Sequence, residues 1–442
     1  MKTIIPAADN VIKLLGKAKT GENYRLMHYV VSEATEDGVL IFHTLTREMM
    51  LLSEEEYSRL FELPELYEKW FIVPEETNDM KLVDQIRFTL RAMQKKPEYI
   101  TSYTIFTTTD CNARCFYCFE KGAKRYPMSE ETALKTAEFI AEHCGGKPVN
   151  LAWFGGEPLY NIKAIDIISK ALKEKKISFS SHMTTNGYLL DDEIIGRAKK
   201  MWNLQMVQIT LDGTEKTYNQ TKKYIYDDTN PFETVLGNIK KCLENEIYVQ
   251  IRLNISSVNA DDLIELVHQL YRHFGTNKYL RVYSMLIYQI TEKSEKKYAE
   301  VYEKSKALDE LIQKYCLRSK NYVSNRLRLN RCQADSDTSV TVLPNGKLGA
   351  CEHYTDSDYI GDIWDNFVDA KERESFKECF PPKEECSGCF YYPECIRLKR
   401  CDTASNCTDY IRKNLLSGVK GKMKNTFYRA ESSGEKPDEE NC

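Results

Sequence analysis

Thr107-Thr108-Thr109-Asp110-Cys111-Asn112-Ala113-Arg114-Cys115-Phe116-Tyr117-Cys118 is the stretch on which the reading of this chain turns. The run 103–109 reads as a strand, and the cysteines that follow it are separated by three residues and then by two. Three thiolates this close can hold three corners of an iron–sulfur cubane and leave the fourth iron without a protein ligand. A catalytic cluster needs that open iron, just as catalytic zinc needs an open position. Structural zinc would recruit a fourth Cys or His, and no His lies within twenty residues. The alternatives for the same stretch are a zinc site and three inert, buried cysteines in a loop.

Outward from this stretch, residues 101–315 alternate between strand-like and helical segments. The strands read at 103–109, 149–154, 178–184, 205–211, 248–255 and 279–286, and the helices at 129–144, 162–175, 191–201, 232–246, 259–274 and 296–316. Val235, Ile239 and Leu243 make a helical stripe of four-residue spacing. Six such units predict a parallel α/β architecture, a partial barrel whose ligands sit at the carboxyl ends of the strands. The residues at those ends are polar. The second strand ends in Trp153-Phe154-Gly155-Gly156-Glu157-Pro158, where glycines permit close backbone approach and Glu157 can accept from an ammonium. The third ends in Thr184-Thr185-Asn186-Gly187, and the fourth carries Gln208, Thr210, Asp212 and Gly213. The fifth carries Arg252 and Asn254. Taken singly, each of these reads equally well as a satisfied turn residue.

Together, in this order, they resemble the radical S-adenosylmethionine (SAM) superfamily. That family has three cysteines at this spacing with an aromatic residue before the third, here Tyr117. The resemblance implies a (β/α)6 partial barrel and a 4Fe–4S cluster on Cys111, Cys115 and Cys118. SAM would be chelated to the open iron through its amino and carboxylate groups. Reduction would cleave it to a 5′-deoxyadenosyl radical that abstracts hydrogen. Gly155, Gly156 and Glu157 match the motif that binds the methionyl amino group. Tyr117, Thr184, Asn186, Gln208, Thr210, Asp212, Arg252 and Asn254 match further cofactor-contacting positions. Thr210 stands where relatives often have Ser, and Tyr218 lies near the place where they carry a His.

The chain holds 15 cysteines among 442 residues, and eight of them fall between Cys332 and Cys407. Pro344-Asn345-Gly346 is a turn between strand-like 339–343 and 347–350, a hairpin that brings Cys332 near Cys351. Cys386, Cys389, Cys395, Cys401 and Cys407 follow. Such density points to metal or catalysis, with structural zinc as the bland alternative. The region resembles a SPASM domain, the C-terminal extension of many peptide-modifying radical SAM enzymes. It departs from that pattern in the five-residue gap between Cys395 and Cys401. The resemblance implies two auxiliary 4Fe–4S clusters. Cys332, Cys351 and Cys401 would hold one, with its fourth iron open or closed by Cys316 or Cys379. Cys386, Cys389, Cys395 and Cys407 would hold the other. Glu352 follows Cys351 where the related anaerobic sulfatase-maturating enzymes carry a basic Asp, so it is a candidate catalytic base, with a solvated surface Glu as the bland reading.

Residues 1–98 contain no cysteine. Strand-like 24–31, 39–44 and 47–52 precede a helix opening at Ser53 and another over 80–93. That order resembles the PqqD-like element that binds a leader peptide by strand addition, and equally suits a plain packing appendage. Residues 99–315 form the barrel, 316–416 the cysteine-rich domain and 417–442, rich in Gly, Lys, Ser and Glu, a disordered tail. The formal charge of −4 gives no basic excess for nucleic acid or an anionic membrane. No apolar run approaches a bilayer span and the N-terminus is not a secretory signal, so a cytoplasmic location is expected. The expected activity is maturation of a ribosomally made precursor peptide by a thioether or other crosslink, with a reductant such as flavodoxin or ferredoxin. The alternatives are oxidation of Cys or Ser to formylglycine and, outside catalysis, an iron–sulfur electron carrier.

Overall fold

The computed structural model describes residues 1–18, 20–122, 124–227, 229–287, 295–318, 320–330, 332–353, 358–401 and 407–432. It has two compact units: Met1–Lys96, Lys320–Arg331 and Glu378–Cys442 make the first, and Pro97–Ser319 with Cys332–Lys377 the second. The sequence reading took 316–416 as one domain. In the structure 320–331 and 378–416 fall in the first unit, and 332–377 falls in the second, where the strand Ser339–Val342 joins the barrel sheet.

The first unit opens with β1 (Lys2–Ile5), α1 (Asp9–Leu15), β2 (Tyr24–Leu26), β3 (Val30–Thr35), β4 (Gly38–His43) and β5 (Met49–Leu52). Next come α2 (Glu54–Ser58), α3 (Pro64–Glu68), β6 (Ile72–Pro74) and α4 (Asp79–Met93). An antiparallel sheet runs β1-β5-β4-β3, and β2 pairs with β6. Strand alternation sends Leu40 and Phe42 to one face and Ile41 to the other, and each face has its own core. α2 starts on a capping box in which Ser53 and Glu56 each receive the other's backbone N–H. The strand expected over 24–31 breaks in two. Met27 and Tyr29 are buried, and a turn from Val30 N–H to the Met27 carbonyl redirects the chain from β6 to β4.

The second unit contains β7 (Ser102–Thr108), α5 (Glu130–His143), β8 (Val149–Gly155), α6 (Ile162–Glu174), β9 (Phe179–Thr185) and α7 (Asp192–Lys200). It continues through β10 (Leu204–Thr210), α8 (Glu215–Lys222), α9 (Pro231–Glu244), β11 (Tyr248–Ile255), α10 (Ala260–Phe274), β12 (Leu280–Leu286) and α11 (Glu295–Lys314). β13 (Ser339–Val342), β14 (Lys347–Gly349), β15 (Tyr359–Asp362), β16 (Phe367–Val368) and α12 (Ala370–Ser375) complete it. β7 to β12 pair in parallel, in chain order. This is the strand–helix partial-barrel fold that the alternation predicts. β13 adds to β7 in parallel, and β14 to β16 extend the sheet as a meander. α10 buries Leu263, Leu266, Val267 and Leu270, a stripe at helical spacing.

The chain ends in α13 (Asp409–Ser432), part of the first unit. Disorder was expected from residue 417. Instead Leu416, Val419, Met423 and Phe427 recur every three or four residues and pack on the β3–β5 face through Val31, Leu40, Phe42 and Met49. Lys420 and Lys424 both meet Glu33, at 2.9 and 2.7 Å. Residues 433–442, the remainder of the expected tail, lie outside the described residues. Among the described residues no helix is long and apolar enough to cross a membrane.

Candidate functional site

The site grows from the loop after β7. The end of β8 clamps that loop: Gly156 N–H donates to the Thr108 carbonyl at 3.1 Å and Glu157 N–H to the Asp110 carbonyl at 2.9 Å. A Cβ on Gly155 would lie 2.1 Å from the Thr108 carbonyl oxygen, and one on Gly156 2.3 Å from that of Asp110. Only glycine lets β8 lie this close to the cysteine loop. The Glu157 carboxylate, expected to receive an ammonium, is fully buried and committed inside the protein. It accepts from Leu159 N–H at 3.1 Å, the Thr185 hydroxyl at 2.8 Å and Asn186 N–H at 2.8 Å. Burial raises its pKa to about 7 against those three donors. Glu157 therefore braces the ends of β8 and β9. Asn186 turns toward the loop, donating to Asn112 Oδ1 at 2.6 Å and lying 3.9 Å from Cys111 Sγ.

Tyr117 forms a triad with the buried side chains of Asp212 and Lys222. The Tyr117 hydroxyl donates to Asp212 Oδ2 at 2.6 Å. Lys222 Nζ donates to the Tyr117 hydroxyl at 3.0 Å and pairs with Asp212 Oδ2 at 2.9 Å. Burial opposes the Lys222 charge, but Asp212, with Tyr117, Cys115 and Tyr218 adding to its effect, outweighs the burial, so the ammonium holds its proton more firmly than an ordinary lysine. Asp212 Oδ1 is buried without a hydrogen-bond partner. Asn259 Nδ2 holds the Asp212 carbonyl at 2.8 Å, and Asp262 holds the next turn through Thr214 N–H and hydroxyl, both at 2.7 Å. Sequence reasoning missed Lys222, Asn112, Asn259 and Asp262. The available signal was the four-residue step from Tyr218 to Lys222 on α8, both of them buried.

The remaining strand-end residues share one face. Gln208 pairs in register with Thr184, and Thr210 with Arg252. The period of two then places Asn254 beside them. Arg252 Nε donates to Asn254 Oδ1 at 2.9 Å, and the Tyr283 hydroxyl to Gln208 Oε1 at 2.7 Å. The opposite face carries Met183, Val207, Ile209, Ile251 and Leu253, all buried.

The cysteines gather in groups. Burial pushes the Cys111 thiol up to about 12, with smaller contributions from Glu157, Cys115 and Cys118, which puts the three thiols within electrostatic reach of one another. In the same unit, Cys351 is raised by burial, by Glu352 and by Cys332. Cys351 Sγ donates to Glu352 Oε2 at 3.4 Å, and the His353 ring lies 5.0 Å from that of Phe119. In the first unit, burial is the main cause that lifts Cys395 to about 11, and Cys389, Cys407 and Cys386 add to it. Those four cysteines therefore stand together. Cys401 N–H bonds the Leu398 carbonyl at 3.2 Å, and Leu398 bridges to Cys379. Cys316 is disulfide-bonded. Cys144 and Cys242 are buried in the barrel unit, apart from these groups.

Three thiols within electrostatic reach of one another are a donor set that suits an iron–sulfur cubane. Among the described residues no three His, Cys, Asp or Glu side chains are set to hold one metal ion. A zinc site needs ligands converging on one point, whereas a cubane takes one thiolate per iron. The orphaned Asp212 Oδ1 is an acceptor awaiting a donor beside the loop, and such buried orphans are costly without one.

Residues 105–270 match the family model described as the Radical SAM superfamily. GTP 3′,8-cyclase of Clostridium perfringens (strain SM101 / Type A) is 30% identical over 174 residues, 38% of this chain and 51% of that protein. Sporulation killing factor maturation protein SkfB of Bacillus subtilis (strain 168) is 26% identical over 170 residues, 38% of this chain and 39% of that protein. The chain thus spans about half or less of the length of these relatives. The structure of anSMEcpe with bound AdoMet superposes with a TM-score of 0.57 at 18% identity, over 75% of this chain and 99% of that one. The same protein with AdoMet and the Cp18Cys peptide gives 0.55 at 16% identity, with the same coverage. The three-cysteine loop, the glycine clamp and most of the polar strand ends lie within residues 105–270, the stretch that matches the Radical SAM superfamily model, and the solved structures share its fold.

Proposed function

We propose that this chain is a radical SAM/SPASM peptide maturase that acts on a ribosomally made precursor and installs a thioether or other crosslink. Cys111, Cys115 and Cys118 would hold a 4Fe–4S cluster, with SAM on its open iron. Bound together, the cluster and SAM supply one-electron cleavage of SAM and abstraction of a substrate hydrogen. Tyr117, Gly155, Gly156, Thr184, Asn186, Gln208, Thr210, Asp212, Arg252 and Asn254 would line the cofactor. Glu157 keeps Asn186 aimed at the cysteine loop.

The observation that carries the peptide reading is the grouping of Cys386, Cys389, Cys395 and Cys407 in the unit that also contains the N-terminal sheet. Those four would hold one auxiliary cluster, and Cys332 with Cys351 would take part in the other. The β3 edge of the sheet offers a place for a leader peptide to add as a strand. The peptide bound to anSMEcpe and the description of SkfB as a maturation protein support the reading. A flavodoxin or ferredoxin would supply electrons.

Formylglycine formation is the second reading, favoured by the Glu352 carboxylate beside Cys351. There Glu352 would take the substrate proton. Mass spectrometry of a Cys-containing precursor peptide before and after anaerobic reaction with SAM and reductant separates the two. The maturase reading expects a loss of two hydrogens with no new carbonyl. An aldehyde product, trapped by hydrazine, would replace it with the second reading.

A further inference from the structure

Lys222 ends α8 and touches the cysteine loop twice. Its carbonyl accepts from Arg114 N–H at 2.7 Å and lies 4.0 Å from Cys115 Sγ. Its side chain, 3% exposed as a residue, runs to the Tyr117 hydroxyl and Asp212. A surface lysine at a helix end would be solvated, so burial here demands compensation, and Asp212 with Tyr117 supplies it. The consequence is geometric. With both the Lys222 ammonium and the Asp212 carboxylate on its hydroxyl, Tyr117 is tied to β10 and α8 while its own backbone belongs to the cysteine loop. Asp212 keeps a second, unpartnered oxygen.

We propose that Lys222 is a positioning residue for SAM: it locks the Tyr117 side chain and the Asp212 carboxylate in one arrangement beside the Cys111–Cys118 loop, and so fixes the pocket wall that SAM meets. The inference rests on the reading of that loop as the SAM-cluster site. Lys222 acts through Tyr117 and Asp212 and touches no reacting atom.

The test uses the full chain, reconstituted anaerobically and reduced, with SAM as the probe. The electron paramagnetic resonance (EPR) spectrum of the reduced cluster is titrated with SAM, which gives a spectral change and an apparent Kd independent of turnover. Wild type and Lys222→Arg should show the same SAM-induced change. Lys222→Met should keep its iron and its SAM-free spectrum yet need about 10–100-fold more SAM, the range seen when a ligand's supporting partner is removed. In a Tyr117→Phe background the same substitution should cost less, because the Tyr117 link is already cut and only the Asp212 link remains to be lost. If Lys222→Met does not fold, Asp212→Asn/Lys222→Met removes both charges together and should show the same weakened binding. Wild-type affinity in whichever variant folds would overturn the proposal. An equal loss with and without Tyr117 would overturn it too. A wild-type spectrum that ignores SAM would defeat the cofactor reading itself, and with it this inference.

Discussion

Cys111, Cys115 and Cys118 were legible from sequence because cluster chemistry demands one residue type at a fixed spacing. Gly155 and Gly156 were legible because a close backbone approach excludes every other side chain. Lys222 was not, since the run Thr221-Lys222-Lys223 reads as a solvated helix end and only tertiary packing buries one of its two lysines. Sequence does not show that Thr185 and Asn186 both donate to Glu157, because those bonds form only once β8 and β9 lie side by side. A buried group with an equally definite consequence is His43. Burial lowers its pKa from 6.5 to about 4, against the Trp70 carbonyl that its Nε2 meets at 3.1 Å, with Asp79 and Arg47 as opposing charges. The unfolded chain takes up a proton on this residue below about pH 6.5, and the folded chain refuses it until about pH 4. Stability therefore falls as pH drops through that window, by about 3 kcal/mol from this group at its full extent. His43→Gln should flatten that part of the pH dependence, read as urea midpoints between pH 7 and pH 4 against wild type. An unchanged slope would contradict the assignment.

At the scale of elements, the six strand–helix units were legible because parallel buried strands and amphipathic helices have distinct periods. The structure places them close to the expected spans, and it adds α8 in a stretch between the expected strand 205–211 and helix 232–246 that the sequence reading assigned to no element. α13 was missed for a compositional reason. Gly418, Gly421 and the surrounding lysines mask an apolar stripe that only shows at helical spacing. Its role in the first unit has two measurable signs. Phe427, 1% exposed, packs on Val31 and Phe42, so Phe427→Ala should destabilise that unit by about 3–5 kcal/mol. A Cβ on Gly421 would meet nothing within 4 Å, so Gly421→Ala should stabilise the unit by about 0.5–1 kcal/mol through helix propensity. Thermal unfolding with hydrogen exchange of β3 and β4 reads both. If Phe427→Ala leaves exchange in β3 and β4 unchanged, α13 is not part of that core.

At the scale of the whole molecule, the chain passes between its two units more than once, with Lys320–Arg331 and Glu378–Cys442 returning to the N-terminal unit. A linear parse into successive domains misses this, because β13 joins the barrel through strand pairing that no local pattern announces. The cysteine groups follow the units: three near β7, Cys332 with Cys351 in the same unit, and four around Cys395 in the other. The account therefore expects the catalytic and auxiliary irons to be separable by mutation. The most direct measurement is the yield of 5′-deoxyadenosine from SAM when the anaerobically reconstituted protein is reduced, with iron counted in the same samples. Wild type should form 5′-deoxyadenosine. The triple variant Cys111→Ala, Cys115→Ala, Cys118→Ala should form none while keeping its auxiliary iron. No 5′-deoxyadenosine from wild type, or equal iron in the two proteins, would contradict the account.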